Sequence, residues 1–233
     1  KSKSTIIFSG EFSKKCFEKE IDLSVLDDSQ YFYEIFNDLW LSNGGNFNGS
    51  VKTKNINELD ARLLKSHFSK PLSEIIRDIN KFSLNLMARN LMLTVLAESK
   101  EYPVNESSIN IYVKSWLVKN KINSKGIIFE NGAGLSRITQ ISAKQLLHVM
   151  EKIYNDSMMP EVISSFPIIG TDGTLKKRMR HSPARGNGHF KTGSLNNVNA
   201  IAGYFLNKKK GMNIFIFMMN DLKANQSELF NKI

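Results

Sequence analysis

Cysteine is nearly missing from this sequence. Cys16 stands alone among 233 residues, which excludes an internal disulfide and any cysteine-based metal site. A single thiol does not assign the chain to a redox compartment. Histidine is equally sparse: His67, His148, His181 and His189 lie far apart and form neither an H-x-x-x-H nor an H-E-x-x-H pattern. The sequence therefore predicts no metal and no cofactor. No apolar run approaches the length needed to cross a bilayer, and there is no signal peptide, low-complexity tract or convincing repeat. The sequence opens on Lys1 rather than Met, so a processed or cut-down piece of a longer protein is expected. Absence of a targeting signal then says little about location.

Acidic residues are outnumbered, with 22 Asp and Glu against 32 Lys and Arg, for a formal charge of +10. Such a balance invites a nucleic-acid partner. The basic residues are spread out with Asp and Glu between them, however, and only Lys176-Lys177-Arg178-Met179-Arg180-His181 is a compact cluster. The aromatic residues sit at core-like spacing and do not alternate with Arg in a stacking pattern. Most of the charge is expected to be solvated surface, no nucleic acid is expected as a partner, and attraction to an anionic polymer such as a cell wall fits equally well.

The length suits one or two domains with a sizeable core. Residues 1–26 alternate apolar and polar, with Ile6 and Phe8, then Phe17, Ile21 and Leu23 as the apolar positions, and read as two short strands round Ser9-Gly10. At Asp28-Ser29 the period changes. Tyr31, Phe32, Ile35, Phe36, Leu39 and Trp40 form one helical face, capped by Asp28 or Ser29, stopped by Gly44-Gly45 and expected in the core. A strand-like run over 62–68 precedes Pro71, which opens a helix with Leu72, Ile75, Ile76 and Ile79 inward. A second helix runs from about Leu84 through Leu96, and a third covers roughly 106–119. Ser142 and Gln145 make a capping box for the next helix, and Pro160 begins a shorter one.

The C-terminal part changes character again. Val198–Leu206 and Met212–Met219 are β-branched and aromatic runs joined by a Lys-rich turn, the pattern of a hairpin. Helices first and strands last, with no βαβ alternation, predict an α+β fold with an antiparallel sheet covered by helices.

Just ahead of the hairpin stands Lys191-Thr192-Gly193. Cation and hydroxyl together can meet a carboxylate, and the missing side chain lets a ligand backbone approach the strand. A strand end with a solvated Lys is the plainer alternative. Between two helices lies Ser83-Leu84-Asn85, where Ser83 could equally be an N-cap and Asn85 a polar first-turn residue. The Gly-rich loop Glu130–Arg137 and the turn-like Gly170–Thr174 complete the set, with Asp172 read as a turn residue rather than a catalyst.

These segments resemble, in order, those of the serine β-lactamase and penicillin-binding-protein superfamily, whose motif set is S-x-x-K, S-D-N and K-T-G. RDINKFSLNLMARNLM at 77–92, ENGAGLSR at 130–137, GTDGTLKKR at 170–178 and GHFKTGSL at 188–195 resemble most the class C low-molecular-mass penicillin-binding proteins, the D-alanyl-D-alanine carboxypeptidase/endopeptidases. The resemblance implies a transpeptidase-like fold in the periplasm, peptidoglycan stem peptides as substrates and β-lactam antibiotics as inhibitors, and it leaves peripheral membrane contact open. It further implies that Ser83 helps move the proton to the leaving amine, that Asn85 holds the substrate's peptide group, and that Lys191 keeps the pocket positive and orders Ser83. Thr192 would bind the terminal carboxylate, the strand after Gly193 would pair with the substrate backbone, and the Ser194 N–H would be an oxyanion donor.

Two departures stand out. Ala133 occupies a place where the family often has Ser. No Ser in the sequence is followed three positions later by Lys, so the S-x-x-K nucleophile and its base are missing. In the class C type that motif lies far upstream of a long insertion; 1–28 is expected to be the end of that insertion and 29–233 the C-terminal portion of the penicillin-binding domain. The alternatives are a nonacylating peptidoglycan-binding pseudoenzyme, a nucleic-acid binder using 176–181, and a β-lactamase.

Overall fold

The computed structural model describes residues 5–13, 23–52, 62–207 and 209–224. Its contacts divide the chain into two compact units, Lys1–His67 and Phe68–Ile233.

In the first unit, α1 spans Asp28–Ser42. Its N-cap is Asp27, whose carboxylate accepts the Gln30 N–H at 2.9 Å, one residue before the expected Asp28 or Ser29. The aromatic face was expected in the core, yet α1 has no buried residue, and Phe32 is 68 % exposed. The reason is a shortage of cover. Among the described residues of this unit, the stripe Phe32–Phe36–Trp40 stacks on itself, and only the segment after the helix folds back on it. Phe47 packs edge-on to Phe36 at 5.2 Å, the Tyr33 hydroxyl donates to Gly49 O, and the Trp40 ring N–H donates to Asn46 O. The strands expected at Ile6–Phe8 and over 62–68 do not form, because alternation supplies a face but not a pairing partner. Phe17 and Ile21 lie outside the described residues.

The second unit carries α2 (Leu72–Phe82), α3 (Asn85–Ser99), α4 (Glu106–Lys119), α5 (Ala143–Tyr154) and α6 (Met159–Ser165). They are followed by β1 (Gly188–Leu195), β2 (Val198–Asn207) and β3 (Gly211–Asn220). The Ser142–Gln145 capping box forms at the head of α5 as the sequence predicts. The sheet is antiparallel in the order β1-β2-β3. A two-residue turn joins Leu195 to its partner Val198, with Asn197 at φ 65°, the left-handed region that Asn tolerates well.

Paired residues share a face, and the register assigns the two faces. On one, Ala202, Tyr204, Ile214 and Ile216 pack against Met150 of α5 and Ile163 of α6. Tyr204 is fully buried there, its hydroxyl donates to Met150 O at 2.7 Å, and burial pushes its pKa up to about 12. On the other face, Phe190, Ile201, Phe205 and Phe215 pack against Ile169 and Leu175. Helices thus cover one face as expected, whereas the irregular segment 166–187 covers the other. That segment also brings the Gly170–Thr174 turn to the start of β1.

Candidate active site

Three short motifs meet at one cleft of about 490 Å³. Its walls are Ser83, Leu84 and Asn85 from the α2–α3 junction, Gly132–Leu135 from the Gly-rich loop, and Lys191–Ser194 from β1. All six residues singled out from the sequence, Ser83, Asn85, Lys191, Thr192, Gly193 and Ser194, are therefore together. Lys191-Thr192-Gly193 sits inside β1, not at a strand end, with Lys191 opposite Ala202 and Gly193 opposite Ala200.

The α2–α3 junction explains how a hydroxyl is presented there. Ser83 is not an N-cap. It is the C-cap of α2 at φ 57°, ψ 48°, a left-handed conformation uncommon for a residue with a Cβ. Leu84 then caps α3, and Asn85 is its first residue. This sharp reversal turns both side chains into the cleft. Lys191 Nζ donates to Ser83 Oγ at 3.0 Å and to Thr192 O at 2.8 Å. Burial pushes the Lys191 pKa below its ordinary value, as desolvation does to any ammonium that lacks a carboxylate partner. Asn85 Nδ2 donates to Ala133 O at 2.7 Å, tying α3 to the Gly-rich loop. A Cβ on Gly193 would meet nothing nearer than Ala200 Cβ at 3.9 Å, so packing within the chain does not itself demand glycine. The Ser136 hydroxyl accepts the Ile138 and Thr139 N–H groups and is committed to shaping its turn.

Sequence reasoning missed a buried layer behind this cleft. Lys81 Nζ, two residues before Ser83, donates to Phe166 O and to Asp172 Oδ2, both at 2.6 Å. Asp172 Oδ1 accepts the Ile168 N–H at 2.7 Å, so the residue read as a turn former does shape the turn and also neutralises a buried cation. Gly173, at φ 52°, lies against α2: a Cβ there would come within 2.5 Å of Lys81 O. The next residue, Thr174, places its hydroxyl 3.2 Å from that of Thr192. His189 stands on β1 near the pair. Its Nδ1 is buried without a hydrogen-bond partner among the described residues, and burial, with the Lys81 charge, pushes its pKa below the usual 6.5. The GTDGT wording was the available signal. A lysine buried on an amphipathic helix leaves no pattern to read, since lysines on helices usually reach water.

Comparison with known proteins supplies an independent line. The chain is 30 % identical over 210 residues to the D-alanyl-D-alanine carboxypeptidase DacB of Haemophilus influenzae, a match covering 89 % of this chain and 44 % of the relative. It is 28 % identical over 177 residues to the D-alanyl-D-alanine carboxypeptidase of Actinomadura sp. strain R39, covering 73 % of this chain and 33 % of the relative. The crystal structure of Haemophilus influenzae penicillin-binding protein 4, complexed with a β-lactam, superposes with a TM-score of 0.75 at 30 % identity, over 85 % of this chain and 46 % of that one. The chain thus spans less than half the length of these relatives. The model of the D-Ala-D-Ala carboxypeptidase 3 (S13) family matches residues 1–232. On this evidence the chain belongs to the D-Ala-D-Ala carboxypeptidase 3 (S13) family.

Proposed function

We propose that this chain supplies the substrate-cradling half of a periplasmic serine D-Ala-D-Ala carboxypeptidase/endopeptidase acting on peptidoglycan stem peptides. The nucleophilic Ser and its Lys base belong to a segment outside this sequence. The observation that carries the reading is the 3.0 Å hydrogen bond from Lys191 Nζ to Ser83 Oγ at the mouth of a cleft also walled by Asn85 and Gly193.

In the proposed reaction the Lys base takes the Ser hydroxyl proton as the oxygen adds to the carbonyl of the penultimate D-alanine. The C–N bond then breaks, terminal D-alanine departs as the amine with a proton from Ser83, and the proton on the Lys base restores the Ser83 hydroxyl. Lys191 donates to Ser83 Oγ, so the Ser83 hydroxyl keeps its own proton available to pass to that nitrogen. Water then adds to the ester and releases the shortened peptide. The Lys191 charge draws the terminal carboxylate to Thr192. Asn85 Nδ2, which bonds Ala133 O, would exchange that partner for a substrate peptide carbonyl. The Phe190 N–H leaves the sheet for Pro167 O, and strand alternation then aims the Thr192 and Ser194 N–H groups at the same outer edge, where an extended peptide would add. The same cleft would accept a β-lactam, whose carboxylate and strained amide mimic the substrate.

The test is release of D-alanine from a stem pentapeptide by the longer protein and its Ser83→Ala variant. A loss of about 10²–10³ in kcat with the fold intact supports the reading. Full activity without the Ser83 hydroxyl contradicts it.

A further inference from the structure

We infer that Thr174 is a second carboxylate-binding hydroxyl of this cleft, a specificity-determining residue presented by the Gly170–Thr174 turn. The inference rests on the proposed reaction, in which Thr192 meets the substrate's terminal carboxylate.

The first ground is geometry. Thr174 Oγ1 lies 3.2 Å from Thr192 Oγ1, although the residues are 18 apart in sequence. One of the two hydroxyls donates to the other. A carboxylate has two oxygens and several lone pairs, and can accept one hydrogen bond from each of two adjacent hydroxyls. Bonds to an ionised acceptor are about twice as strong as bonds between neutral groups, so a carboxylate wins over the hydroxyl–hydroxyl contact it displaces. The Lys191 ammonium, bonded to Thr192 O at 2.8 Å, adds attraction for an anion at this position.

The second ground is the rigidity of the support. Thr174 is exposed, yet its neighbours on both sides are fixed. Leu175 is 1 % exposed and packs with Phe190 and Ile169 under the sheet. Gly173 rests on the backbone of Lys81 in a conformation that a side chain would obstruct. Asp172 is bound by Lys81 Nζ and by the Ile168 N–H. Helix α2 therefore ends in two functional directions at once. Lys81 holds the turn that delivers Thr174, and Ser83 receives the Lys191 bond.

The test compares acylation rates of the longer protein by benzylpenicillin, which carries a free carboxylate, and by its methyl ester. Thr174→Val keeps the shape and removes the hydroxyl; Thr174→Ser restores it. The expected result is a loss of about tenfold with the free acid for Thr174→Val, as for one lost charge-assisted hydrogen bond. The ester should react with the variant and the unsubstituted protein at equal rates, and Thr174→Ser should recover most of the loss. Equal effects of Thr174→Val on acid and ester, or no effect on either, overturn the inference while leaving the proposed reaction standing. Failure of the unsubstituted protein to be acylated by either compound overturns the reaction and the inference with it.

Discussion

The Lys191 ammonium lies 3.0 Å from the Ser83 hydroxyl across 108 residues of sequence, joining a strand of the sheet to the junction of two helices. In the proposed reaction both serve one proton transfer, and such groups act as a unit. Ser83→Ala and Lys191→Met should each lower β-lactam acylation by about 10²–10³, and the double variant should be little worse than either single one. Second-order acylation rates check this. Additive losses would mean that the two residues act separately.

The pair behind the cleft is unevenly buried, with side-chain exposures of 9 % for Lys81 and 38 % for Asp172. Removing the carboxylate leaves a buried cation stranded; removing the cation leaves a carboxylate that water can reach. Asp172→Ala should therefore cost about 3 kcal/mol of stability and Lys81→Met about 1–2 kcal/mol, measured by urea unfolding. The order of the two is the test.

His189 gives a pH signature. Its folded pKa lies below the ordinary 6.5, chiefly because it is buried and secondly because Lys81 faces it, with Asp172 opposing. As pH falls below the unfolded value, the unfolded chain takes up the proton first, so stability is present above 6.5 and is lost as pH drops towards the folded value. Urea midpoints should fall between roughly pH 7.5 and roughly pH 5, and His189→Gln should flatten that slope.

Tyr204 anchors the helix-covered face of the sheet, stacked between Tyr154 and Phe166. Tyr204→Phe removes one buried hydrogen bond and should cost about 1–2 kcal/mol. Tyr204→Ala also opens a cavity and should cost about 3–5 kcal/mol. Thermal unfolding separates the two.

What could be read from the sequence was what depends on residue type at short spacing. Ser142 and Gln145 form their capping box, the hairpin turns at Asn207–Gly211, and Ser83, Asn85 and Lys191 meet as their motifs imply. Partners could not be read. The stripe Tyr31–Trp40 encodes an amphipathic helix but not what covers it, and its aromatic residues remain exposed. Leu63, Leu64 and Phe68 have strand composition but no ladder to join among the described residues. Lys81 was invisible for the opposite reason: its burial is created by Asp172, 91 residues later. The left-handed turn at Ser83 likewise comes from where α2 and α3 must pack, since no glycine marks it.

In the proposed function this cleft holds the substrate for a serine nucleophile carried elsewhere in the protein. Labelling the longer protein with a tagged penicillin, followed by peptide mass spectrometry, tests it most directly. The expected result is a single modified serine, in an S-x-x-K segment outside these residues. A folded protein that takes up no label, or a label found on Ser83 itself, would contradict it.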